Sequence, residues 1–218
     1  GDRYTQCMAL EKYSRVLRQT NPRKAVEVAR HAEQTYQKLP DVSQYNIIYL
    51  KLNVSDALLF ADHIVQAEKK CKEALDIAYA LKDSNVLSDV YQDMATIATQ
   101  RKDFKKALEC SKASYNTSSV YDITKALNLA TAYLNANSLP SCNKLLNSIH
   151  TDNAEYKYIA FNIRHLASIK AHDYDEAYNY ADSAYHYLEQ MYGNQLDSKQ
   201  EYYNSLVKTK YEEGIAKG

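Results

Sequence analysis

Glycine is scarce in this chain. Of four in 218 residues, Gly1, Gly214 and Gly218 sit at the ends and only Gly193 lies inside. A loop that cradles phosphate needs backbone able to take positive φ and let a ligand approach closely, so glycine-rich nucleotide-binding motifs are excluded. Net charge is lacking too: Lys plus Arg number 27 and Asp plus Glu number 27. No global field draws the chain to phosphate polymers or acidic membranes, and nucleic acid is not an expected partner. The four cysteines, Cys7, Cys71, Cys110 and Cys142, form no CxxC pair and fall in helical segments, where small buried hydrophobes are expected. No stretch approaches the roughly 18 consecutive apolar residues of a membrane span. No export signal opens the chain, and no alternating β-branched run with hairpin turns marks a sheet.

Catalytic signals are missing as well. His165 and His172 are seven apart, which on a helix separates them by about 10 Å, too far to share a metal ion. There is no HExxH, and His31, His63, His150 and His186 lack a second ligand at metal-like spacing, so all six histidines are expected at the surface or the edge of the core. No GxSxG elbow occurs, and acidic pairs such as Asp173 with Asp175 or Glu212 with Glu213 belong to helix ends and charged faces. The expectation is a non-enzyme with no catalytic residue, no metal and no cofactor.

What the sequence does contain is helix punctuation. Asn21 caps a helix that starts at Pro22, where the missing N–H is no loss. Ser84, Asp103 and Asp173 read as further caps, Ser119 to Asp122 and Asp152 to Glu155 as capping boxes, and Gly193 with Asn194 as a stop followed by a start. These signals predict about eleven helices, at roughly 5–19, 22–38, 43–61, 64–81, 86–101, 104–117, 120–136, 139–149, 153–171, 174–192 and 195–213. Most are joined by two or three residues and therefore pair antiparallel. The first residues run straight into a helical pattern and the last stop inside one, as in a piece of a longer protein with Gly1 left from cloning.

The second helix of each pair repeats a trio of small residues spaced four then three: Ala25, Ala29 and Ala32; Ala67, Cys71 and Ala74; Ala107, Ser111 and Ser114; Ala177, Ala181 and Ala184. Such spacing lays three small side chains on one face, where another helix can approach closely. The leading positions Ala25, Ala67, Ala107, Cys142 and Ala177 are 42, 40, 35 and 35 residues apart. In the last pair, Tyr174, Tyr178, Tyr185 and Tyr192 fall within about 40° of one another on a helical wheel, with Tyr180, Tyr187 and Met191 widening the apolar arc. They are expected to be packing knobs beside the small residues, with Tyr180 and Tyr187 at the edge.

With this period the chain resembles the tetratricopeptide repeat family. In "KALNLATAYLNANSL", Ala126, Leu129, Ala130 and Tyr133 fall where the family places its first-helix signature; Tyr91, Met94, Ala95 and Ala98 do so one hairpin earlier, and Phe104 and Tyr174 stand where the family has a turn aromatic. The fourth hairpin departs from the pattern with Cys142, Leu146 and Ile149, and the family's glycine and closing proline are mostly absent. The resemblance implies an all-α fold: one right-handed α-solenoid domain over 1–218, with hairpins at about 5–38, 43–81, 86–117, 120–149 and 153–192 and a capping helix at 195–213.

In that family first helices line a groove that takes extended or helical peptides. Carried across, the groove residues are Tyr49, Leu52, Asp56, Asp89, Gln92, Thr96, Thr99, Thr124, Leu127, Thr131, Asn135, Asn162 and Leu166. The branch that grips a terminal carboxylate uses Lys, Arg and Asn there, so these residues disfavour it. The implied activity is protein or peptide binding, with no membrane insertion by this segment and room for a homo-oligomer. One reading resembles the extracytoplasmic sensor or interaction part of a larger bacterial envelope protein, periplasmic and signalling, with Leu196, Tyr203 and Val207 striping the tail. The other is a cytoplasmic signal-peptide receptor of helical-repeat type.

Overall fold

A computed structural model of the chain describes residues 3–192. The expected capping helix at 195–213, with Leu196, Tyr203 and Val207, and the Gly193–Asn194 boundary lie outside the described residues. Among the described residues there are ten α-helices and no strand. They are α1 (Arg3–Thr20), α2 (Pro22–Tyr36), α3 (Gln44–Phe60), α4 (Ile64–Leu81), α5 (Ser84–Gln100), α6 (Phe104–Thr117), α7 (Ile123–Asn135), α8 (Leu139–Asn147), α9 (Ala154–Lys170) and α10 (Tyr174–Tyr192). The chain divides into two compact units, Gly1–Tyr121 and Asp122–Gly218.

Helix starts follow side-chain chemistry. Asn21 accepts from the Lys24 N–H, Asp103 from Lys106 and Asp173 from Glu176, as expected of N-caps. Three starts differ from the sequence reading by a residue or more. Asp83 caps α5 and Ser84 is its first helical residue. Asp122, not Ser119, caps α7, because the Ser119 N–H and hydroxyl both bond the Asn85 side chain. Asn153, not Asp152, caps α9 through the Glu155 and Tyr156 amides.

Helix stops are closed by main chain. After α3, α5, α7 and α9 one residue takes left-handed φ: Asp62 at 61°, Lys102 at 61°, Asn137 at 58° and His172 at 60°. Its N–H bonds back to the carbonyl of Leu59, Thr99, Leu134 or Ile169 respectively, at 2.9–3.1 Å. The following N–H, of His63, Asp103, Ser138 or Asp173, reaches the carbonyl of Leu58, Ala98, Tyr133 or Ser168 at 2.8–2.9 Å. These are Schellman motifs, which satisfy the orphan carbonyls of a helix end and reverse the chain within two or three residues. They recur at spacings of 40, 35 and 35, the same spacings as the small-residue trios.

In the first unit α1 packs on α2, α3 on α4 and α5 on α6, while α2 meets α3 and α4 meets α5. First helices also touch each other, α1 with α3 and α3 with α5, so they form one face and the second helices the other. The second unit repeats this with α7 on α8, α9 on α10, α8 on α9 and α7 on α9. The trios form the seam. Ala25, Ala29, Ala32, Ala67, Cys71, Ala74, Ala107, Ser111, Ser114, Ala177, Ala181 and Ala184 are all buried, and Cys142 and Leu146 take the same part in α8. All four cysteines are buried and form no disulfide, and burial pushes the Cys71, Cys110 and Cys142 thiols up from their ordinary value.

Twelve residues ahead of each leading small residue from the second hairpin onward stands Ser55, Ala95, Ala130 or His165, all buried. Ser55 Oγ donates to the Ala67 carbonyl at 3.0 Å, and His165 Nδ1 bonds the Ala177 carbonyl at 2.8 Å. His165 is therefore a core residue tying α9 to α10, not the surface or core-edge histidine its sequence context predicts. Its ring satisfies a buried carbonyl, which is what makes its burial tolerable.

Of the tyrosines on α10, none is fully buried: the seam is made by the alanines and the rings flank it. Tyr187 stacks on Phe161 of α9 at 5.6 Å, with Lys157 over its ring at 5.2 Å; Tyr180 lies 6.2 Å from Phe161 with the Arg164 guanidinium 5.8 Å away. These two edge rings are thus occupied by contacts within their own hairpin.

Candidate functional site

The face made by α1, α3 and α5 carries a cleft of about 230 Å³, lined by Arg15, Tyr49, Leu52, Asn53, Asp56, Asp89, Gln92 and Asp93. Helical period explains the gathering. Tyr49, Leu52, Asn53 and Asp56 lie at i, i+3, i+4 and i+7 on α3; Asp89, Gln92 and Asp93 take the corresponding i, i+3 and i+4 places on α5, 40 residues on. Five residues proposed from the sequence, Tyr49, Leu52, Asp56, Asp89 and Gln92, come together here. Arg15, Asn53 and Asp93 were not foreseen, and neither was Arg18 beside them.

A hydrogen-bonded chain builds the α1 side of the cleft. Ser14 Oγ donates to the Glu11 carbonyl at 2.8 Å and accepts from Asn53 Nδ2 at 2.7 Å. Asn53 Oδ1 in turn accepts from Arg18 Nη2, whose Nη1 lies 2.9 Å from Asp56 Oδ2. Arg15 is ion-paired with Glu11 one turn earlier. On the other side the Tyr49 hydroxyl donates to Asp89 Oδ2 at 3.0 Å.

Electrostatics in the cleft are strained. Burial raises the Asp56 carboxyl against the opposing pull of Arg18. Burial and the neighbouring Asp56 carboxylate hold the Asp93 carboxyl well above the usual carboxylate range. Tyr49 is pushed up to about 12, by burial first and the Asp89 carboxylate second. Among the described residues two buried polar atoms lack a hydrogen bond at or beside the cleft: Gln92 Oε1, an acceptor in its lining, and Arg18 Nε, a donor next to it on α1. Each such atom costs about 1–3 kcal/mol when left unpaired, so they are unusual in a purely structural surface.

The remaining expected residues are more scattered. Thr96 is exposed and Thr99 half-buried, and each hydroxyl bonds the carbonyl one turn back, Gln92 and Ala95 respectively. In the second unit Thr124 is exposed and bonds the Tyr156 hydroxyl at 3.4 Å, while Thr131 bonds the Leu127 carbonyl. Asn135 is half-buried, Asn162 is exposed and Leu166 is 42% exposed. Leu127 is 2% exposed and packs with Ala130, Leu134, Cys142 and Leu146, so its side chain is core, not groove surface.

A different feature joins α2, α3 and α4, a ring of alternating charges. Lys51 Nζ lies 3.0 Å from Glu33 and 2.8 Å from Glu73, and Lys70 Nζ lies 3.2 and 2.9 Å from the same two carboxylates. Burial works against the Lys51 ammonium, but Glu73 and Glu33 outweigh it and raise its pKa. A second hollow, of about 440 Å³, opens beside this ring between α2 and α4, with Arg30, Gln66 and Lys69 on its rim. Across its rim Arg30 donates to Gln66 at 2.9 Å. Among the described residues no group of three His, Cys, Asp or Glu side chains is arranged to hold a metal ion, and no helix is long and apolar enough to cross a membrane.

No protein-family model matches the sequence, and no curated protein matches it. Likeness is found in solved structures. BtubC (BKLC) from P. vanneervenii is similar with a TM-score of 0.65 and 15% identity, over 89% of this chain and 93% of that one. The apo form of RapI has a TM-score of 0.64 and 13% identity, over all of this chain and 87% of its own. The TPR2AB domain of yeast Sti1, solved in complex with pHSP90, follows at a TM-score of 0.43 and 15% identity, over 95% and 98% of the two chains. At these identities the first two likenesses speak to fold. With its repeated hairpins, Schellman turns and small-residue seams, the chain has an all-α helical-repeat fold, an α-solenoid in class.

Proposed function

We propose that the chain is a non-catalytic scaffold that binds a protein or peptide on its first-helix face. The cleft between α1, α3 and α5 carries the reading: it is open, lined by polar side chains from three helices, and holds a buried acceptor, Gln92 Oε1, whose hydrogen bond no described residue completes. A partner that completes it gains affinity at little cost in ordering, since the side chains are already held by their own network. In the second unit the matching surface is that of Thr124, Thr131, Asn135, Asn162 and Leu166.

The test is selection of random twelve-residue peptides on the immobilised chain, followed by hydrogen-exchange footprinting of the winners. Protection in α1, α3 and α5 is the expected result. Protection confined to α2, α4 and α6, or no selected peptide, refutes the reading. The finer reading, an extracytoplasmic sensor or interaction part of a larger bacterial protein, is supported by resemblance of the sequence alone. An export signal upstream and a membrane span downstream in the full gene would bear it out, and their absence would leave the cytoplasmic signal-peptide receptor as the reading to pursue.

A further inference from the structure

We infer that the cleft in the first unit selects a basic side chain: the partner of the first-helix face presents a lysine or arginine to Asp93 and Gln92. This deepens the peptide-binding reading and rests on it.

Charge counting among the groups at the cleft gives the first argument. Three carboxyl groups, Glu11, Asp56 and Asp93, face two guanidinium groups, Arg15 and Arg18. Both cations are engaged: Arg15 holds Glu11, and Arg18 holds Asp56 and Asn53. Asp89 takes the Tyr49 hydroxyl. Asp93 has no ion pair or hydrogen bond from a described side chain, although protein surrounds it on most sides. A carboxyl in that position either takes up a proton or receives a cation from outside.

An independent observation points the same way. Gln92, in the lining of the cleft, has its Oε1 buried, and that atom accepts nothing from a described residue. Beside Asp93, one residue away on α5, the vacant capacity is therefore for donors. Lysine ammonium and arginine guanidinium are the side chains that carry only donors and a positive charge, so either completes both groups at once. A carboxylate-bearing partner would add a further negative charge beside Asp56, Asp89 and Asp93, and is rejected. The cleft volume, about 230 Å³, suits one long side chain better than a folded element.

The experiment uses the selected peptides in matched pairs, each basic residue replaced in turn by norleucine or citrulline, against the full chain and its Asp93→Asn variant. Asn keeps the shape of Asp, and circular dichroism checks the fold. The expected result is one basic position whose replacement weakens binding about 10- to 100-fold, with the same loss in Asp93→Asn and no further loss when the two are combined. Competition by spermidine or free arginine amide as strong as by the peptide would place the recognised cation on a small molecule and overturn the peptide assignment. Peptides that bind without a basic preference, or that bind Asp93→Asn equally well, overturn this inference and leave the scaffold reading standing. Failure of every peptide to bind removes both.

Discussion

Lys102 offers a sharp test of how the hairpins are closed. It is an exposed lysine held at φ 61°, and no hydrogen bond or ion pair from its side chain to a described residue accompanies that conformation. A β-carbon in the left-handed region costs about 1–2 kcal/mol, which glycine avoids. Glycine also gives the unfolded chain more freedom, which takes back about 0.4–1 kcal/mol. The difference predicts that Lys102→Gly stabilises the protein by about 0.5–1 kcal/mol, a rise in Tm of about 1–4 °C at this size. Two controls bracket it. Lys102→Ala keeps the β-carbon and should be close to neutral, while Glu109→Gly, on the exposed side of α6, should lose about 1 kcal/mol. Urea denaturation of the three variants decides the matter. If Lys102→Gly loses stability as Glu109→Gly does, the turn is not held by its main-chain bonds and the explanation of the 40, 35, 35 recurrence fails.

Three further outcomes are expected. Asp93→Asn should stabilise the free protein by about 1 kcal/mol at neutral pH, the scale of one unpaired buried group. Asp93 is raised in the folded state by burial and by Asp56, with Asp89 adding to it and Arg15 and Arg18 opposing. Its contribution is therefore favourable below its unfolded pKa and lost as pH rises through the folded one, so the advantage of the variant should shrink in melts run toward pH 4. Ala107→Leu puts a branched side chain into a fully buried seam position and should cost about 1–3 kcal/mol by denaturant titration, whereas the same change at exposed Lys105 should be near neutral. Lys51→Met leaves Glu33 buried beside Lys70 alone and should cost about 2–4 kcal/mol, with Glu33→Gln added to it recovering part of the loss.

Features contained within one helix were legible in the sequence. The small trios are local, since positions four and three apart share a face whatever the helix packs against, and all four were found buried as expected. Caps at Asn21, Asp103 and Asp173 are equally local. Features that join helices were not legible. Ser119 looks like a cap until Asn85, 34 residues earlier, claims it. Arg18 and Asp56 are 38 residues apart, and Lys51 and Glu33 18 apart, so each reads alone as a solvated charge. Five of the eight residues lining the cleft were reached because groove positions follow the period. Asn53 and Asp93 sit one residue beyond chosen positions on both α3 and α5, a coincidence of register that pointed to them. Leu127 shows the opposite error: the repeat places it on the groove side, but its neighbours bury it.

Each Schellman turn is made of amide and carbonyl groups that every residue type except proline supplies. Aspartate, lysine, asparagine and histidine occupy its left-handed position in successive repeats of one chain, so no side chain is required to bend the backbone there. Drift is thereby tolerated at the corner of the architecture, where a signature residue would otherwise be sought. Two proteins can then share this fold at 13–15% identity, and a search for others like them should weigh the cadence of small residues above the identity of the corner.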